Sequence, residues 1–369
     1  VEQLRVTYRL DVAPGEAEAR AEALAREQTV EVPRVVVRDR FVEENVLGRV
    51  EGIATEGDDA PRATVAFPLP GTALDPAQLL NILFGLTALH GDVLCVEVAL
   101  PPTLLSALQG PRFGIEGLRK TVGVYDRALT CTAVKPLGLA PEALAGLLRD
   151  FGRAGIDVVK DDQGLADHAF CPFEARVRAC LDAAERVADE TGRRPLYVPN
   201  LIGTPDVVFR QLELAQRLGA RAVMASPMLI GLPVFWELCH RHASVPVLAH
   251  PSFAGARGCA PEVLFGTLLR CYGADAVIFV GYAGRFHVPR ETCRRLVDNL
   301  RAPLPDLLPA LPVPGGGVEI ENAAELVAFY GRDAMLLSGG SLQLEEGRLV
   351  ERGRAFVRAV REASAALPA

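Results

Sequence analysis

The chain is 369 residues long, 50% hydrophobic and 23% charged, with a formal net charge of −7. That length accommodates a barrel-sized domain beside a smaller one, and an acidic balance without long like-charge runs excludes nucleic acid as the main partner. No apolar stretch reaches the ~20 residues of a membrane span, so the sequence is expected to belong to a cytoplasmic protein with no membrane partner.

In chain order, RVTYRLDV (5–12) alternates like a strand, PGEAEARAEALAREQ (14–28) is an Ala/Glu/Arg helix, and VEVPRVVV (30–37) and RATVAFPL (62–69) return to strand character. A second helix, DPAQLLNILFGLTAL (75–89), precedes the strand DVLCVEVAL (92–100). Two helices and four strands in this order predict a ferredoxin-like α+β domain over residues 1–118.

From residue 128 onward the texture changes to apolar runs separated by amphipathic helical segments. The runs are ALTCTAV (128–134), IDVVK (156–160), PLYVPN (195–200), RAVMASP (221–227), VPVLAH (245–250), DAVIFVG (275–281), LPALPVP (308–314) and DAMLLSG (333–339). Eight βα units predict an α/β fold, a (β/α)8 TIM barrel over 119–369 with a C-terminal helix, whose active site lies at the C-terminal strand ends. A doubly wound open sheet is the structural alternative, but no GxGxxG opens the first βα turn. Eight cysteines scattered singly, without a CxxC, read as reduced thiols packed as small hydrophobes.

Of 39 basic residues only three, Lys120, Lys135 and Lys160, are lysine. Wherever a positive charge alone was needed the chain uses arginine, so a remaining lysine is a candidate for chemistry that a guanidinium cannot perform. Lys135 and Lys160 both end predicted barrel strands. The other strand ends carry Asn200, Ser226, His250, the loop 281–285, Gly315 to Gly317, and Ser338 with Gly339 and Gly340. Glycines in the seventh and eighth loops let backbone N–H groups face a phosphate, although tight turns alone would also require glycine. In KDDQ (160–163), alternation points Lys160 and Asp162 to the same side. A plain ion pair is one reading; the other is a carbamate formed from CO2 on Lys160 that joins Asp162 as an oxygen ligand set for Mg²⁺.

The order AVKPLGL (133–139), GIDVVKDDQ (155–163), LAHP (248–251), PGGG (314–317) and SGGSL (338–342), behind NILFGLTAL (81–89) and GPRFGIEGLR (110–119), resembles the large subunit of ribulose-bisphosphate carboxylase. It resembles still more the RuBisCO-like proteins, which share that fold without fixing CO2. The resemblance covers nearly the whole chain. It implies that Lys135 moves protons at the enolisable carbon of the substrate, and that Lys160 as a carbamate, Asp162 and Gln163 hold Mg²⁺. It places His250 near the substrate and Gly316, Gly317, Gly339 and Gly340 around a phosphate. Glu27 and Asn81 match small-domain residues that reach the barrel of a neighbouring subunit, which implies a homodimer or larger homo-oligomer.

Several positions depart from the carboxylase pattern. KPLGL lacks the second lysine of KPKLGL, Gln163 replaces a carboxylate, Pro251 stands where a phosphate-binding arginine is found, and VGYAGRFH (280–287) has no lysine to hold added CO2. These differences argue against carboxylation and for a small substrate with one phosphate, unless Arg285 replaces the lost arginine. The reactions implied are enolisation or isomerisation of a methylthioribulose-type phosphate, or decarboxylation or C–C cleavage of an oxo-sugar-acid phosphate such as 3-oxo-isoapionate 4-phosphate. A Schiff-base aldolase using Lys135 or Lys160 and a non-catalytic sugar-phosphate binder are the alternatives. His90, His240 and His242 read as solvated or capping, His168 and His287 as nearer the mouth, and Trp236 as core or subunit contact.

Overall fold

The computed structural model describes residues 2–55, 59–255, 258–284, 286–345 and 347–368. The first four strands, β1 (Gln3–Leu10), β2 (Arg49–Ala54), β3 (Arg62–Pro68) and β4 (Val93–Ala99), form an antiparallel sheet in the order β2-β3-β1-β4. Leu4, Val6, Tyr8 and Leu10 all point to one buried face, the period-2 pattern of a half-covered strand. The helix Ala17–Glu27 covers that face with Ala21, Leu24 and Ala25.

Two expectations fail in this domain. The run 30–37 is not a strand: Arg34–Val36 is a 3-10 turn with Val35 77% and Val36 57% exposed, and Pro33 has no N–H to give to a ladder. The fourth strand is instead β2, an edge strand exposed at nearly every position, whose apolar residues Val50, Ile53 and Ala54 show no period-2 alternation to read. The predicted helix 75–89 also stops at Leu83, because Gly85 turns the chain at φ 22° before a short 3-10 turn, Leu86–Leu89.

The second sheet is parallel throughout and made of β5 (Leu129–Val134), β6 (Val158–Asp161), β7 (Leu196–Val198), β8 (Asn200–Leu201), β9 (Val223–Ala225), β10 (Val247–Ala249), β11 (Ala276–Val280), β12 (Leu311–Gly315) and β13 (Met335–Leu337). The eight predicted runs are all present, the third divided at Pro199 into β7 and β8. These two halves terminate the strand order β7-β6-β5-β13-β12-β11-β10-β9-β8, so one strand closes the ring with both of its halves. Alternate residues such as Leu129, Cys131, Val158, Met224, Leu248, Ile278 and Val313 form the packed barrel interior, and Ile115 and Leu118 of the helix Gly114–Val122 join the same cluster. All eight cysteines are buried and none is joined in a disulfide.

At the opposite end of β6 from the candidate site, buried Asp157 accepts from Arg127 at 2.7 and 2.8 Å, from Thr130 N and Oγ1 at 2.9 and 2.8 Å, and from Arg193 at 3.0 Å. Asp157→Ala would strand the buried Arg127 guanidinium and is expected to cost about 3 to 5 kcal/mol of stability. Chemical denaturation measures it, and a loss below ~1 kcal/mol would show that the network is dispensable.

Candidate active site

Register brings the site together before any side chain is considered. Ala133 of β5 pairs with Lys160 of β6, so Lys135 and Asp162, each two residues further, are neighbours on the barrel-interior side. The Lys135 Nζ lies 2.9 Å from Asp162 Oδ1, an ion contact whose angle is too poor for an aligned hydrogen bond. Lys135 is 38% exposed at its side chain, whereas Lys160 is 2% exposed and donates from Nζ to Asp161 O at 3.0 Å. Burial first, and then the charge of Lys135, lower the Lys160 pKa against the opposing pull of Cys131, Asp162 and Asp161.

Asp161, the odd residue of KDDQ, points away from the mouth. Its carboxylate accepts from Arg176 Nε at 3.0 Å, Tyr197 OH at 2.7 Å and Asn200 N at 3.1 Å, and it anchors the strand end. Asn200 donates to Gln163 O at 3.1 Å and Leu165 O at 3.2 Å, which holds the loop carrying Gln163 over the mouth.

A cavity of about 530 Å³ opens above these residues and is lined by Lys135, Lys160, Gln163 and His250 together with Gly316, Gly317, Gly339 and Gly340. Gly316 and Gly317 hold φ 75° and 96°. Gly339 and Gly340 have nothing within 4 Å of the place a Cβ would occupy, so side chains there would fill the cavity itself. Ser338 and Ser341 both donate to Val318 O, at 3.1 and 3.2 Å, and tie the eighth loop to the seventh. Backbone meets backbone between loops six and seven: a Cβ on Gly284 would stand 1.9 Å from Gly316 O, and one on Gly317 2.5 Å from Ala283 O.

Burial lowers the His250 pKa well below the usual imidazole value, with Lys160 and Lys135 adding to the shift. Arg285 lies outside the described residues. Glu27 and Asn81 are not among the residues lining this cavity: Glu27 pairs with His90 at 3.0 Å, and Asn81 is exposed. His168 stacks on Phe170 and contacts Gly164 O at 3.0 Å, while His240 is half-buried between Trp236 O and Gly110 O and not a solvated residue. The sequence reading missed Gln343, which donates to Lys135 O at 3.3 Å, and Ser252, which contacts His250; only the second, two residues from a strand-end histidine, left a readable signal.

The residues at the mouth fit a hard divalent ion on one condition. No group of three His, Cys, Asp or Glu that could hold a metal occurs among the described residues. A ligand set therefore needs the oxygens that CO2 would add to Lys160, together with the Asp162 carboxylate and the Gln163 amide oxygen. A carbamate forms from the neutral amine, which is the form that burial of Lys160 favours.

Residues 114–256 match the family described as ribulose bisphosphate carboxylase large chain, catalytic domain. The chain is 45% identical to ribulose bisphosphate carboxylase-like protein 1 of Rhodopseudomonas palustris, over 97% of this chain and 98% of that one. It is 39% identical to 5-methylthioribulose-1-phosphate isomerase of Rhodospirillum rubrum, over 97% of this chain and 96% of that one. A crystal structure of a Rubisco-like protein from Rhodopseudomonas palustris superposes with a TM-score of 0.90 at 37% identity, covering 98% of each chain.

Proposed function

This chain belongs to the ribulose bisphosphate carboxylase large-chain family as an enzyme of the RuBisCO-like type, and from that premise we propose that it isomerises or enolises a mono-phosphorylated ketose of the methylthioribulose-phosphate type without fixing CO2. The observation that carries this reading is one cavity lined both by a lysine able to exchange a proton and by four glycines of the seventh and eighth loops. The likeness to the isomerase along almost the full length of both chains supports the substrate class. The absence of a second lysine in KPLGL and of an arginine after His250 supports the exclusion of carboxylation.

Lys160 as a carbamate, Asp162 and Gln163 would hold Mg²⁺, which when bound stabilises negative charge on a substrate oxygen. Gly316, Gly317, Gly339 and Gly340 receive the phosphate and fix the distance from it to the reacting carbon. Lys135 removes and returns the proton beside the carbonyl, and Asp162 holds its Nζ in place. Incubating the enzyme with 5-methylthioribulose 1-phosphate, Mg²⁺ and bicarbonate in deuterium oxide should incorporate deuterium next to the carbonyl, as followed by NMR. Absence of exchange with this and related mono-phosphorylated ketoses would overturn the reading. An adduct trapped by borohydride would replace it with Schiff-base chemistry.

The active unit proposed is a homodimer in which Glu27 and Asn81 of one protomer complete the site of the other, since neither lines the cavity of its own chain. Asn81→Ala and Lys135→Ala proteins, each inactive, should recover part of the activity when their subunits are exchanged. A fully active monomer in sedimentation would refute the shared site.

A further inference from the structure

His250 ends β10, and because Leu248 points into the barrel interior, His250 does the same one step higher and lines the cavity. Its other ring nitrogen faces its own chain. The backbone N–H of Ser252 donates to His250 Nδ1 at 3.2 Å, and Ser252 Oγ lies 3.0 Å from the same atom. A backbone N–H can only donate, so Nδ1 presents a lone pair, and the proton of the neutral ring sits on Nε2. Pro251 helps set this turn, because its ring restricts φ between the two partners.

We propose that Ser252 is a positioning residue that fixes His250 in the Nε2–H tautomer, so that His250 meets the substrate as a neutral hydrogen-bond donor and not as the base. The role assigned to His250 rests on the enolisation reading above; the tautomer does not. Neutral donors aimed at an oxygen where negative charge develops stabilise the transition state without surrendering a proton. Burial first, and then the charges of Lys160 before CO2 adds to it and of Lys135, oppose a positive charge at His250. The division of labour follows: Lys135 carries the proton, and His250 polarises the oxygen.

The test has two arms. With the full-length protein labelled with ¹⁵N at histidine and the His250 signals assigned through His250→Gln, Nδ1 should resonate as an unprotonated ring nitrogen and Nε2 as a protonated one, unchanged through neutral pH and without substrate. Ser252→Ala keeps the backbone donor and should keep this tautomer, whereas Ser252→Pro removes the N–H and should mix the two tautomers. A protonated Nδ1 in the wild type would overturn the proposal whatever the enzyme's substrate is. In the second arm, solvent exchange of the substrate proton should fall no more than ~10-fold in His250→Gln, which retains a neutral N–H donor, and more than ~100-fold in His250→Leu. Equal losses in the two variants would assign His250 another role. Failure of the enolisation reading would appear differently, as no exchange in the wild type.

Discussion

Lys135→Arg is expected to lose solvent exchange of the substrate proton by about 10²- to 10⁴-fold, the range associated with removing a positioned acid–base group. The substitution preserves a positive charge 2.9 Å from the Asp162 carboxylate, so the ion contact that shapes the mouth has a replacement. It cannot preserve the chemistry, because a guanidinium stays protonated in proteins while an amine can give up its proton and take it back. Substrate affinity should change far less, since the phosphate would be received by backbone groups of the seventh and eighth loops and not by the Lys135 side chain. NMR in deuterium oxide reads the exchange, and calorimetry with a substrate analogue reads the binding. Wild-type exchange in Lys135→Arg would move the base to another residue.

Lys160→Met is expected to abolish Mg²⁺ binding and reduce turnover to background. Methionine fills the buried space of the lysine stem, which keeps a packing defect from passing for a loss of function. Lys160 is 2% exposed, its pKa is lowered by burial, and it stands two residues from Asp162, so it is placed to accept CO2. The carbamate carbon can be observed directly with ¹³C-labelled bicarbonate, independently of any substrate. A thermal transition close to the wild-type value, together with the loss of the carbamate signal, would assign the defect to the ligand set. Full turnover in Lys160→Met, or in saturating chelator, would refute the metal role.

The barrel was legible because its strands are buried on both faces and read as near-continuous apolar runs, each followed by an amphipathic helix. The two mouth lysines were legible for a different reason: arginine has displaced lysine almost everywhere else. Strand β2 was not, since an exposed edge strand has no hydrophobic alternation to display. The division of the third strand at Pro199 lay hidden for a related reason, because its whole segment is buried and one proline within it marks no boundary by itself. Gln343 and Ser252 act through hydrogen bonds to a carbonyl and a ring nitrogen, interactions that leave no periodicity behind. Lys135 meets Gln343 across more than two hundred positions, and only the closed ring makes them neighbours.

The seat of Gly284 on the Gly316 carbonyl limits how this scaffold could be re-engineered. Grafting a lysine-bearing sixth loop from a carboxylase would have to reproduce that backbone stacking or displace the seventh loop, and Gly316 and Gly317 of that loop line the cavity. The two loops are therefore one unit of exchange. Laboratory recombination of this scaffold should yield folded, ligand-competent chimaeras when both are transplanted together, and damaged ones when either travels alone.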